Sequence, residues 1–310
     1  MRLDLLAALS GILIAIQSRA NGELSHRLNN GLEAALISFG SGLIIITVIA
    51  LFHPGIKVGA IKIRAAVRSG YIPRWRLSAG FLGASFVAVQ TQIVPLLGVA
   101  IFSVASIAGQ TAASLGVDRM GLTGGGKKAI TTRRVAAALV TIVAVLISVW
   151  DRIDANNVSI FAVGFAGIAG AIVGVQRALN GQINEYSQQS FTTSFLNFTT
   201  GTSFLILLLV IGLLTHRAHL SAIPSGPWWM YTGGIIGVLY IAFASTIVQH
   251  LGVLTFTLFT VGGQLVGSLM IDILIPTQGV HVSWYLVSGI ILTYLGVVVG
   301  GVGQSRFARK

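Results

Sequence analysis

Residues 97–118 read LGVAIFSVASIAGQTAASLGVD, and residues 251–272 read LGVLTFTLFTVGGQLVGSLMID. Nine of the 22 aligned positions are identical, among them Phe102/Phe256, Gly109-Gln110/Gly263-Gln264 and Asp118/Asp272. The same offset of 154 runs upstream, where Trp75, Gly80, Gly83 and Gly98 fall on Trp229, Gly234, Gly237 and Gly252. Earlier still the offset is 159: Gln17, Asn21, Gly22, Phe39 and Gly42 fall on Gln176, Asn180, Gly181, Phe198 and Gly201. A connecting loop five residues shorter in the second half accounts for the change. The chain is therefore an internal duplication.

Composition says what was duplicated. Of 310 residues 54% are hydrophobic and 9% charged, and mean hydropathy is +0.87. A soluble domain carries about a quarter charged residues, so this chain cannot cover itself in water. Runs of about 20 apolar residues, the length needed to cross a hydrocarbon core, lie near 3–22, 32–52, 77–95, 97–117, 134–151, 158–180, 191–214, 229–248, 252–275 and 283–303. The first run ends in Gln17, Arg19 and Asn21 rather than in a small-residue cleavage site, so it reads as a retained span. The expectation is an all-α polytopic membrane protein of ten transmembrane helices. Residues 1–152 form one five-helix repeat and 153–310 the other. Five is odd, so the second repeat enters the membrane inverted, a recurring design of secondary transporters.

Charge placement orients the spans. With ten crossings, Arg2, the 53–76 and 118–134 loops, Arg177 and Arg306, Arg309 and Lys310 share one side, which holds 16 of the 20 Lys and Arg residues. The positive-inside rule puts both termini in the cytoplasm of an inner, or plasma, membrane. The net charge of +12 is then a topology signal facing anionic lipid, and nucleic acid is not expected as a partner. The counterpart loops 212–228 and 272–283 contain only Arg217 among Lys and Arg.

The motifs Gln17-Asn21-Gly22, Phe39-Gly42 and Leu97-Gly98-Val99 with Gly109-Gln110-Asp118 recur in the second half as Gln176-Asn180-Gly181, Phe198-Gly201 and Leu251-Gly252-Val253 with Gly263-Gln264-Asp272. Over essentially its whole length the chain resembles the YdcZ-type branch of the drug/metabolite transporter superfamily, in a fused two-half form. The resemblance implies a ten-helix 5+5 transporter, and it supplies no substrate. The small multidrug-resistance relatives carry a membrane-embedded glutamate in their first helix, where proton and cationic drug compete. Here Gln17 and Gln176 are the polar groups of that region. All eight acids (Asp4, Glu23, Glu33, Asp118, Asp151, Asp154, Glu185 and Asp272) fall near span ends or in loops. A buried carboxylate is the usual proton carrier. Simple proton/cation antiport is thereby weakened, in favour of a neutral, zwitterionic or weakly charged solute.

Polar groups inside a membrane are expensive and face the bundle interior. The substrate or pathway candidates are thus Gln17, Asn21, Gln110, Gln176, Asn180 and Gln264, with interhelical hydrogen bonding as the alternative role. Gln17 and Asn21, four apart, share a helical face. Asn-Gly also suits a helix end. Glu23, Asp118 and Asp272 are the candidates for coupling or gating, including proton coupling. An aspartate at a helix C-terminus opposes the dipole, so the matched pair calls for specific partners or a capping role. Arg19 and Arg177 either snorkel to the interface or form an anion-attracting vestibule. Their repeat positions are Ala178 and Ser18, so they are not a shared device.

Other motifs fail on context. Gly121-(x)4-Gly126-Lys127-Lys128 lacks the Ser or Thr of a P-loop and follows no strand. His216 and His219 have no third ligand, and His26, His53, His250 and His281 are isolated near span ends. With no cysteine and no Ser-His-Asp spacing, neither catalysis, a metal nor a cofactor is expected. The chain reads as a secondary-active or facilitative transporter of a small organic solute, working by alternating access in the export direction, as a monomer or homodimer. A channel for a polar solute and a membrane scaffold are the alternatives.

Overall fold

The computed structural model describes residues 3–120, 122, 130–150, 160–216, 220–251, 253–277 and 281–301. Within these, the side chains of residues 118, 245, 246, 248–251, 253–258, 300 and 301 lie outside the description. The described residues form eleven α-helices and no strand: α1 Leu3–Leu28, α2 Gly31–Phe52, α3 Pro54–Arg68, α4 Ala79–Leu97, α5 Val99–Met120, α6 Thr132–Ser148, α7 Ile160–Ser187, α8 Ser190–Leu214, α9 Gly233–Leu251, α10 Val253–Leu274 and α11 Trp284–Gly301. Short 3-10 turns, Arg74–Ser78 and Trp228–Tyr231, lead into α4 and α9. Among the described residues six segments are long and apolar enough to cross a membrane: Leu3–Leu28, Gly31–Phe52, Arg74–Leu97, Val99–Val117, Ile160–Ser187 and Ser190–Leu214. Gly233–Ala244, Phe259–Leu274 and Trp284–Val299 are shorter apolar stretches of the same character.

Over the described residues each of the ten apolar runs is essentially helical, with two departures from the sequence reading. Neither Asn21-Gly22 nor Asn180-Gly181 ends a helix, because α1 and α7 continue to Leu28 and Ser187. The real stops come at Asn29 (φ 49°) and Gln188 (φ 54°), which are repeat partners and both occupy the left-handed region that ends helices. The 53–76 loop also contains α3. Pro54 opens this helix, where its missing N–H costs nothing. Ile56, Gly59, Ile63 and Ala66 form its buried face, a helical spacing hidden among six cations.

Burial runs opposite to that of a soluble protein. Leu51, Phe52, Phe161 and Leu214 stand exposed, whereas Ser18, Asn21, Gln90, Thr193 and Asn197 are buried. Such an apolar exterior fits lipid. Glycines let the helices close on one another. A Cβ on Gly109 would enter the Gly167 carbonyl of α7, and one on Gly263 would enter the Ala8 carbonyl of α1. Gly11 abuts Thr260 of α10, and Gly170 abuts Ser106 of α5. Gly80 abuts Asn197 and Gly201, and Gly234 abuts Ser38 and Gly42. Each contact has a counterpart made by the repeat-equivalent residues. At the centre Phe39 meets Phe198, its own repeat partner, with ring centroids 5.2 Å apart.

Candidate functional site

Two amide clusters flank the Phe39–Phe198 pair. In the first, Gln17 Nε2 donates to the Gly233 carbonyl of α9 at 2.9 Å. One turn further along α1, Asn21 Nδ2 donates to Gln90 Oε1 of α4 at 3.1 Å, and Gln90 Nε2 donates to Ser18 Oγ at 2.7 Å. Asn21 Oδ1 is buried and accepts no hydrogen bond. It lies directly over Gly233, where a Cβ would strike it. Gln17 and Asn21 thus share a face, as their spacing predicts, and α9 approaches that face through Gly233 and Gly237. Gly237 also touches the Phe198 ring edge.

The second cluster is built from α7 and α8. Gln176 Nε2 donates to Asn197 Oδ1 at 3.0 Å. Asn197 Nδ2 donates in turn to Asn180 Oδ1 and to the Thr193 carbonyl. Gln176 packs on Gly83 of α4, as Gln17 packs on Gly237 of α9. The two glutamines and the two glycines are both repeat pairs, so each half rests its first-helix glutamine on a glycine of the other half.

Gln110 and Gln264 sit apart from this bonding, and no hydrogen bond among the described residues joins either to a cluster. Gln110 is buried on α5 beside Gly109, and its backbone touches the position of Gly174 on α7. Gln264 is 1% exposed, and among the described residues neither its Oε1 nor its Nε2 has a hydrogen-bond partner. An unbonded buried amide forfeits its hydration, at a cost of about 1–3 kcal/mol.

Two of the three acid candidates, Asp272 and Glu23, are already engaged. Asp272 accepts from the backbone N–H groups of Val99 at 3.1 Å and Ala100 at 2.8 Å, the first residues of α5. A carboxylate there satisfies orphan donors and opposes the positive end of the dipole. Its location at the end of its own helix is therefore reconciled by the start of another. The side chain of Asp118 lies outside the described residues. Glu23 accepts from Arg19 at 2.9 Å and from Arg27 at 2.7 Å.

Arg19 is held against the protein. It is 9% exposed, donates through Nε to the Ile275 carbonyl at 3.1 Å, and lies over Trp229. Arg27 reaches the Ser225 carbonyl at 3.1 Å, and Glu33 accepts from the Ser221 N–H at 3.1 Å, so the 220–231 segment is tied across the ends of α1 and α2. At the opposite end Arg76 donates to Gln182 at 2.7 Å while lying over Trp75, and Lys62 donates to Gln188 at 2.7 Å. Arg177 is half-buried, and its Nε has no partner. Among the described residues no group of His, Cys, Asp and Glu could hold a metal ion.

Gln90, Asn197 and Ser18 were not among the sequence candidates. Gln90 aligns with Ala244 and Asn197 with Ser38, so a search for matched polar pairs passes over them. The signal that would have found both is an amide in the middle of an apolar run.

An all-helical bundle with an apolar exterior and a polar interior on both sides of a pseudo-symmetric centre defines a multi-pass membrane protein. The family described as "Putative inner membrane exporter, YdcZ" matches twice, over residues 3–147 and 161–299, and the chain belongs to that family. No curated protein matches it. A protein of known crystal structure aligns over 98% of this chain and 98% of its own, with 14% identity and a TM-score of 0.57, a likeness of fold.

Proposed function

We propose that the chain is a secondary transporter of a small neutral or zwitterionic organic solute, working by alternating access in the export direction. In this reading ten helices (all but α3) cross the membrane as two inverted five-helix repeats, residues 1–152 and 153–310, with both termini cytoplasmic. The reciprocal glycine contacts support the inverted pairing, since equivalent residues of two such halves meet across an axis in the membrane plane. The observation that carries the solute site is Gln264. Its amide is buried without a bond, and a solute able to accept and donate would recover what burial costs. Gln110, its repeat partner, offers the same group from the other half. The amide clusters of Gln17 and Asn21, and of Gln176 and Asn180, line the two halves of the path.

Facilitated movement or solute exchange is favoured over proton coupling. Asp272 is committed to the start of α5, and Glu23 to two arginines. Glu23 serves as a gate: it orients Arg19 and Arg27 of its own helix, which reach the Ile275 carbonyl just past α10 and the Ser225 carbonyl of the 220–231 segment.

The test is counterflow in proteoliposomes, with solutes chosen by thermal shift from neutral, zwitterionic and cationic metabolites. Gln264→Leu keeps the volume and removes the unbonded amide. It is expected to hold or raise the unfolding temperature while lowering counterflow at least about tenfold, the worth of one lost hydrogen bond of about 1.4 kcal/mol. Gln110→Leu should behave alike. Normal counterflow in both variants overturns the site. Flux without saturation or counterflow indicates a channel, and hits confined to organic cations overturn the solute class.

A further inference from the structure

The amphipathic helix α3 plays no part in the proposed solute path, yet its outer face is chemically specific. Its inner face is fixed: Ile63 and Ala66 pack with Leu179 and Ile183 of α7, and Thr192 Oγ1 of α8 donates to the Ile56 carbonyl. Outward it presents Lys57, Lys62, Arg64 and Arg68 among exposed Val58 and Ile61. Arg64 and Arg68 stand one turn apart, and with Ile61, Ala65 and Ser69 they form one open face of the helix. Exposed Tyr71 and Trp75 follow within two turns' length of chain. No Asp or Glu lies between Glu33 and Asp118 in the sequence, so none within the segment offsets these cations.

We propose that this helix face binds the headgroup of an anionic phospholipid. Arg64 and Arg68 take the phosphate, Ile61 and Val58 lie against the acyl chains, and Tyr71 and Trp75 sit at the headgroup level. Three features favour lipid over any soluble anion. The exposed side of α3 carries cations (Lys57, Arg64, Arg68) beside apolar groups (Val58, Ile61, Ala65), and a helix at a membrane interface turns its apolar groups to the acyl chains and its cations to the headgroups. Aromatic residues flank it, as they do at membrane boundaries. The inner face is packed on two long apolar helices, which carries α3 alongside the bilayer. Because α3 rests on α7 and α8 of the second half while belonging to the first, a bound lipid would stabilise the seam between the halves. The proposal needs only a membrane-embedded chain and is independent of the transport reading and of which side is cytoplasmic.

The experiment takes the full-length protein in neutral detergent and titrates it with short-chain phosphatidylglycerol or phosphatidylcholine, following unfolding temperature and lipid retention by native mass spectrometry. Phosphatidylglycerol should bind more tightly and raise the unfolding temperature. Each cation near an anionic surface is worth roughly a fivefold change in affinity, so Arg64→Gln with Arg68→Gln should weaken binding by roughly 25-fold. Both side chains are exposed and make no hydrogen bond among the described residues, so the double variant folds. Arg119→Gln with Arg133→Gln removes as much charge from a different basic segment and should leave the preference unchanged. Equal binding of the two lipids, a preference that survives the α3 variant, or equal loss in the control variant each overturn the proposal. So does inorganic phosphate reproducing the thermal shift.

Discussion

The two halves carry the same amides at the same repeat positions and bond them differently. In the first half Gln17 crosses to the backbone of α9, and Asn21 turns to Gln90 on α4. In the second half Gln176 and Asn180 both turn to Asn197 on α8, and among the described residues no side-chain bond from that cluster crosses. The ends differ in the same manner. Glu23 holds two arginines where its equivalent Gln182 accepts from Arg76 alone among the described residues. Duplication has preserved the glutamine, the asparagine and the glycines they rest on, and has let the bonding partners drift. What is common to the halves is the packing; what distinguishes them is the polar chemistry laid over it. A conformational exchange between halves would then be near-symmetric in shape and asymmetric in the bonds broken at each step.

The most severe way to break this comparison is to attack the shared packing. Gly80→Ala and Gly234→Ala each place a methyl group against backbone atoms of the other half. Each should lower stability by about 1–3 kcal/mol or more, in near-equal measure, as read by the unfolding temperature in detergent. A large effect at one site and none at the other would show that the contacts are not equivalent. Gly83→Ala and Gly237→Ala meet side chains, which can move, and should cost less than the backbone pair.

The charged end comes next. Glu23→Gln removes the shared acceptor of Arg19 and Arg27, leaving a largely buried guanidinium with fewer charge-assisted bonds, and should cost about 1.5–3 kcal/mol. Gln182→Glu, at the equivalent position, should be tolerated, because it gives Arg76 a charged acceptor. Equal loss in the two variants would remove the electrostatic distinction between the ends.

The smallest effects are expected from the amides. Side-chain hydrogen bonds between membrane helices average about 0.6 kcal/mol. Asn197→Ala removes bonds to both Gln176 and Asn180 and should cost about 1 kcal/mol. Gln90→Ala removes those to Asn21 and Ser18 and should cost a similar amount. The sharper readout is counterflow. If Asn197→Ala impairs it and Gln90→Ala does not, the second-half cluster belongs to the solute path and the first to the seam between the halves.

Sequence by itself determined the class, the helical intervals and the duplication, because crossing hydrocarbon demands long apolar helices whatever their neighbours. It also identified Gln17 with Asn21 as one face, since helical periodicity is a local property. It did not reveal α3, whose four apolar contacts are spaced among cations that read as loop, nor the length of α1 and α7 beyond their Asn-Gly pairs. The tertiary structure alone decided which amides are spent. Asn21 and Gln264 are both buried amides in apolar helices, yet Asn21 finds Gln90 and Gln264 finds no partner among the described residues. The same holds for Asp272, which is unfavourable on its own helix and favourable at the start of α5. Hydrogen bonding between helices depends on side chains distant in sequence, and only packing brings them within 3 Å.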